Sequence, residues 1–307
     1  MREPAYLSLP GEELGRRAAA AAETLGSCTL CPRACRANRL AGELGTCRIG
    51  CEAVVSSYGP HFGEEPPLVG AYGSGTIFFT GCNLRCIFCQ NYDISQLEYG
   101  EAVPTDRVAR MMIALQDRGC HNINLVTPTH QLPQILDALD KAVSLGLKLP
   151  IVYNCGGYEP LEALRLLDGV VDIYMPDMKY GNNEVGRKLS SVPDYWDRNR
   201  EAVLEMHRQV GDLEVVDITD GGSRGEVAVR GLLVRHLVLP GGLADTESVV
   251  RFLAQDVSKD TYINIMDQYR PCFRAVGHEL IGRPITSSEY VEAVRLAREA
   301  GLWRFAE

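Results

Sequence analysis

Residues 77–95 read IFFTGCNLRCIFCQNYDIS: an apolar run, then Cys82, Cys86 and Cys89 at spacing C-x3-C-x2-C. The run has the length and composition of a buried strand. Three thiols therefore sit on the loop directly behind a strand end. Thiolates select iron–sulfur clusters, zinc and copper(I), and a closed zinc or iron–sulfur site takes four. Three on one tight loop can ligate three irons of a [4Fe-4S] cubane and leave the fourth iron open to a small molecule.

Outward from this stretch the pattern alternates. Apolar runs at 122–126, 150–153, 170–175, 232–239 and 261–266 read as further strands, with helical stretches over 105–118, 131–146, 159–167, 193–210 and 246–256. Six strands alternating with helices predict a parallel sheet with right-handed crossovers, an α/β fold of the partial (β/α)6 barrel kind. Residues 213–231 break the rhythm and predict an inserted hairpin around Asp220-Gly221-Gly222; a last helix covers 287–300. In parallel barrels the chemistry sits at the C-terminal strand ends. Those ends carry TGCNLRC, TPTH, NCGGYE, PDMKYG, PGGLAD and DQYRP here, more polar residues and glycine than packing alone asks for.

Upstream, residues 10–26 predict a short helix. The segment 28–51 is rich in cysteine and glycine and reads as loops held by something other than an apolar core. The chain thus divides into 1–70, a helix and cysteine-rich segment; 71–285, the barrel core; and 286–307, the terminal helix. Cys28, Cys31, Cys35 and Cys47 have spacing C-x2-C-x3-C-x11-C, which suits a structural zinc or an auxiliary [4Fe-4S] cluster equally. Cys120, Cys155 and Cys272 are isolated.

The 307 residues carry a net charge of -9 and 11 cysteines. An acidic chain without basic runs argues against a nucleic-acid partner. The N-terminus shows no apolar signal region and no run of 18 apolar residues occurs, so a cytoplasmic, non-membrane protein is expected. In that setting an odd, unevenly spaced set of thiols reads as metal ligands rather than a disulfide framework. His130 and His236 read as hydrogen-bonded structural residues. Glu64-Glu65 can line the mouth of the barrel or face solvent.

The C-x3-C-x2-C loop behind the first strand of an α/β barrel resembles the signature of the radical S-adenosylmethionine (SAM) superfamily. The resemblance implies a [4Fe-4S] cluster on Cys82, Cys86 and Cys89, with SAM chelating the open iron and yielding a radical that abstracts a substrate hydrogen. It further implies Phe88 against adenine, Asn154 at the ribose, and Lys179 of Pro-Asp-Met-Lys pairing the SAM carboxylate beside Asp177. Backbone around Asp267 would border adenine. Where many members have Gly-Gly-Glu, this chain has Thr127-Pro128-Thr129-His130, so the SAM amino group would fall to the hydroxyls of Thr127 and Thr129 or to a nearby carbonyl.

Residues from about 28 to 285 are also similar to proteins related to the pyruvate formate-lyase activating enzyme, through CTLCPRAC, HFGEEPPLVGAYGSGTIFFTGCNLRCIFCQNYDIS, NLVTPTH, VRHLVLPGG and NIMDQYRP. That similarity, to proteins distinct from the activating enzyme itself, implies a radical oxidoreductase with an electron donor such as flavodoxin or ferredoxin; activation of a glycyl-radical enzyme, a protein substrate, is one hypothesis. Direct modification of a peptide, nucleoside or small metabolite is the alternative. An iron–sulfur electron carrier or zinc-stabilised interaction module is a third reading. Residues 90–119 hold no cysteine, so the ferredoxin-like insert of many activases is missing.

Overall fold

The computed structural model describes residues 2–220 and 223–306. Among the described residues nine strands form one sheet: β1 (Ala53–His61), β2 (Ser74–Phe79), β3 (Glu101–Val103), β4 (Ile123–Val126), β5 (Ile151–Cys155), β6 (Ile173–Pro176), β7 (Glu214–Asp220), β8 (Ser223–Leu237) and β9 (Tyr262–Met266). The six strands read from the sequence are β2, β4, β5, β6, β8 and β9, and they pair in that order, all parallel. The sheet curls but does not close: β1 and β3 extend it antiparallel beyond β2, and β9 forms the other side. This is a partial (β/α)6 barrel.

Helices follow the strands: α1 (Glu13–Glu23), α2 (Pro66–Val69), α3 (Tyr92–Ser95), α4 (Thr105–Asp117), α5 (Leu132–Ser144), α6 (Leu161–Leu167), α7 (Asn183–Ser190), α8 (Tyr195–Val210), α9 (Thr246–Phe252) and α10 (Ser287–Ala300). Side chains alternate across each strand. Ile77, Ile123, Leu125, Ile151, Tyr153 and Val234 join the core under the helices. Val152, Ile173, Met175 and Leu233 point inward and meet Leu68 of α2, forming a separate apolar plug. The Asn122 amide fixes that plug by donating to the Leu68 carbonyl at 2.8 Å.

Three features depart from the alternating pattern. Strand β1 carries exposed and half-buried residues and a Gly-Pro pair, so it has no strong strand signature; pairing with β2 and β3 makes it a strand. Because β1 precedes residue 70, the sheet spans the sequence boundary drawn there. Helix α7 fills the loop after β6, capped by the Asn182 side chain on Val185 N–H at 2.9 Å. The inserted hairpin is β7–β8, and its turn residues Gly221 and Gly222 lie outside the described residues.

The segment 28–51 holds only a 3-10 turn at Arg39–Ala41. Arg39 is buried and ties it down, donating to the carbonyls of Gly50 (2.8 and 2.6 Å) and His130 (2.8 Å). Helix α1 lies against α5. Among the described residues no helix is long and apolar enough to cross a membrane.

Candidate active site

Strand β2 delivers the chain to Gly81, whose φ of +81° turns it into the thiol loop; a Cβ there would lie 2.6 Å from the Cys47 carbonyl. A left-handed φ and that close approach both require glycine. The thiols then take separate partners. The Leu84 N–H donates to Cys82 Sγ (3.3 Å), Cys86 Sγ meets Ser190 Oγ at 2.9 Å, and Cys89 Sγ meets Ser95 Oγ at 3.1 Å. The Tyr180 hydroxyl reaches the same Ser190 at 2.7 Å. Burial pushes the Cys82 and Cys86 thiols above their ordinary value. Buried thiolates need a positive charge beside them, and hydrogen bonds to sulfur tune a cluster's potential. The donor set therefore fits an iron–sulfur cluster. Among the described residues no group of three or more His, Cys, Asp or Glu is arranged to hold one ion. A cubane does not ask for that, since each thiolate takes a different iron.

The loop faces a cavity of about 220 Å³ reached by the ends of β4, β5, β6, β8 and β9. Lys179 is ion-paired with Asp177, their side chains 19% and 14% exposed. The Arg235 guanidinium, 19% exposed, donates to Asp177 at 2.9 Å and to Asn154 Oδ1 at 2.7 Å. Burial alone would raise Asp177; the Arg235 and Lys179 charges outweigh it and hold the carboxyl below its ordinary value. Burial opposes the Lys179 charge too, yet Asp177 and Cys86 hold its pKa above the ordinary one. The strand-end loops are pinned from behind. Asn199 of α8 donates to the carbonyls of Gly157 (2.9 Å) and Asp177 (3.0 Å), and the Tyr195 hydroxyl lies 2.9 Å from those of Gly156 and Asp177.

Of the residues named from the sequence, Cys82, Cys86, Cys89, Phe88, Thr127, Asn154, Asp177 and Lys179 all border this cavity. Phe88 is buried edge-on to Tyr180 and Tyr269. Thr127 has φ +60° and gives its N–H to the Asn154 carbonyl at 2.8 Å. Thr129 turns elsewhere, donating to the buried Glu159 carboxyl at 2.7 Å. Asp267 borders a second cavity instead, of about 550 Å³, which shares Asn154, Arg235, Met266 and Gln268 with the first and is walled by Glu64 and Glu65. Sequence reasoning missed Arg235. Its signal was a charge inside an apolar strand run, Leu-Leu-Val-Arg-His-Leu.

His130 donates from Nε2 to the Thr80 carbonyl (2.7 Å), and burial lowers its pKa to about 4. His236 bonds the Met178 carbonyl (2.6 Å) and Thr246 (2.9 Å). Both are structural. Cys28 and Cys47 are buried, Cys31 half-buried and Cys35 exposed. Burial first, then the neighbouring Cys47 and Cys28, pushes Cys31 up to about 12. Gly45 leaves the space that Cys35 Sγ fills. The segment abuts the thiol loop, since the Cys47 carbonyl packs on Gly81 and Arg33 donates to the Asn83 carbonyl.

The family model of the radical SAM superfamily matches residues 76–223. The uncharacterized protein MJ0674 of Methanocaldococcus jannaschii is 34% identical over 286 residues, 90% of this chain and 75% of that one. Solved structures resemble the chain distantly. SuiB of Streptococcus suis bound to S-adenosylmethionine is 15% identical with TM-score 0.48, over 74% of this chain and 48% of that chain. The [FeFe]-hydrogenase maturase HydG is 12% identical with TM-score 0.49, over 73% and 48%. Methylornithine synthase PylB is 13% identical with TM-score 0.46, over 96% and 72%. The chain spans about half the length of SuiB and HydG. With the family model beginning on the strand that carries the thiol loop, and a relative 34% identical along 90% of this chain, the protein belongs to the radical SAM superfamily.

Proposed function

We propose that the protein is an oxidoreductase that cleaves SAM reductively and takes a hydrogen atom from a substrate. Superfamily membership implies a [4Fe-4S] cluster and SAM as its cofactors. The observation that carries the reaction class is the shared cavity: three thiols on one wall, and the Lys179–Asp177–Arg235 charge network on the other. Cys82, Cys86 and Cys89 would hold the cluster, which when bound supplies one electron to the SAM sulfonium. Lys179 would pair the SAM carboxylate, Asn154 would meet the ribose, and Phe88 would close the adenine side. Arg235 positions both Asp177 and Asn154. The Cys28, Cys31, Cys35 and Cys47 group, whose thiols are not gathered round one point in this structure, would hold a second metal, an auxiliary cluster or a zinc that draws them together, directly behind the thiol loop. A flavodoxin or ferredoxin as electron donor and a cytoplasmic setting belong to the same reading.

Activation of a glycyl-radical enzyme and direct modification of a peptide, nucleoside or metabolite share this chemistry. The buried carboxylates of the second cavity favour the direct reaction, because a glycine Cα offers them no charge to meet. The test is anaerobic reconstitution, reduction with dithionite and assay of 5′-deoxyadenosine. Wild type should form it, and Cys82→Ala, Cys86→Ala or Cys89→Ala should each abolish it. Persistence of the product in those variants would falsify the assignment.

A further inference from the structure

The second cavity lies on the unclosed side of the barrel, between the end of β1 at His61 and the residues Asn264, Ile265 and Met266 of β9. Its charges do not balance. Three largely buried carboxylates, Glu64, Glu65 and Asp177, face two cations, Arg235 and Lys179, across the two connected cavities, with Asp267 exposed at the rim. Arg235 spends its short hydrogen bonds on Asp177 and Asn154, and stands 4.0 Å from Glu64 and 3.9 Å from Glu65. Lys179 is ion-paired with Asp177 and, in the proposed reading, also meets the SAM carboxylate, so it is not available to Glu64 and Glu65.

Donors are short as well. The Glu65 side chain is 5% exposed; its Oε1 accepts from Asn264 Nδ2 at 3.2 Å, and its Oε2 has no partner. Asn124 on β4 is fully buried and adjoins Glu64, near enough for its amide to favour the Glu64 carboxylate. Buried polar atoms are almost always satisfied, and exceptions ask for a reason such as an absent ligand. Burial and the adjacent Glu65 carboxyl, opposed by Arg235, push Glu64 up to about 7.

We infer that this cavity binds a protonated primary amine on the substrate, held by Glu64 and Glu65. An ammonium offers three donors and no acceptor, which suits the Glu65 and Glu64 carboxylates on the cavity wall together. The charge it brings closes the count of three against two. Held there, an aliphatic amine points its C–H bonds past Asn154 and Met266 toward the cofactor cavity. The inference rests on the proposed radical SAM reading and adds the substrate class to it.

The probes are n-butylammonium, n-butanol and butyrate, titrated by calorimetry into the anaerobically reconstituted holoenzyme with SAM. The blocked peptide acetyl-Gly-Lys-Gly-amide is a fourth arm. Butylammonium or the lysine peptide should bind at least tenfold tighter than butanol or butyrate. Tighter binding of the peptide identifies a protein source for the amine, and tighter binding of butylammonium a free metabolite. Glu65→Gln and Glu64→Gln, checked for folding by thermal melts, should each weaken amine binding at least tenfold. Equal binding of amine and alcohol, preference for butyrate, or unchanged amine affinity in folded Glu65→Gln overturns the inference. The wild-type comparison decides even where a variant does not fold. Absence of 5′-deoxyadenosine from dithionite-reduced wild type would instead strike the parent reading, because amine titration does not require turnover.

Discussion

Arg235 joins residues that are far apart in the chain: Asp177 and Asn154 directly, Glu64 and Glu65 at longer range. Removing one partner from a buried charge network leaves the others uncompensated. Arg235→Ala should therefore lower unfolding stability by about 3–5 kcal/mol, measured by urea titration of the metal-free protein. A loss under ~1 kcal/mol would mean that the network is solvated. Glu159 gives a pH signature. It is buried, accepts from Thr129 at 2.7 Å, and burial raises it to about 7, against roughly 4.3 unfolded. Between those values the unfolded state releases a proton that the folded state keeps, so stability falls as pH rises toward 7. Glu159→Gln removes this fall. Its stability relative to wild type should rise by on the order of 2–3 kcal/mol from pH 5 to pH 8. Parallel urea curves at both pH values would sink that account. At this scale the sequence showed what is local. The thiol triad was legible because three ligands must share one short loop, and Asp177 and Lys179 because they are two apart on an extended segment. Arg235 was opaque, and Glu64-Glu65 stayed open between barrel mouth and solvent, since their roles come from partners brought together only by the barrel. Thr129 was placed at the cofactor, but the 3-10 turn at Thr129–Gln131 carries its hydroxyl to Glu159.

Among the elements, the parallel strands and their helices were readable because each apolar run is bounded by polar strand ends and turns. Helix α10 shows how local the signal is: Thr286 and Glu289 form a reciprocal capping box at its first turn. Thr286→Ala should cost about 1 kcal/mol, visible as a lower melting midpoint. Strand β1 was not readable, since its pattern of burial follows its neighbours rather than its own residues. The β2-to-loop junction makes a sharper prediction. Gly81→Ala forces a side chain onto the Cys47 carbonyl at a left-handed φ. Reconstituted iron should drop well below that of wild type, and full iron retention would show that the loop can shift freely.

For the molecule as a whole, composition and alternation pointed to the right architecture, while the packing of the cysteine-rich segment against the thiol loop depended on Arg39 and Arg33 reaching across the fold. Metal analysis separates the two cysteine groups. If the second holds zinc, the Cys82/Cys86/Cys89→Ala triple variant should lose about four irons and keep one zinc; if it holds a cluster, about eight irons should fall to four. The unclosed side of the barrel has its own consequence. A reactive species made inside a vessel with a missing wall is contained only when something fits the gap, and here the gap is lined by Glu64 and Glu65, the residues proposed to hold the substrate. The substrate is then its own stopper. Wasted turnover becomes a gauge of fit: the ratio of 5′-deoxyadenosine to product should approach one for the true substrate and climb with every poorer mimic.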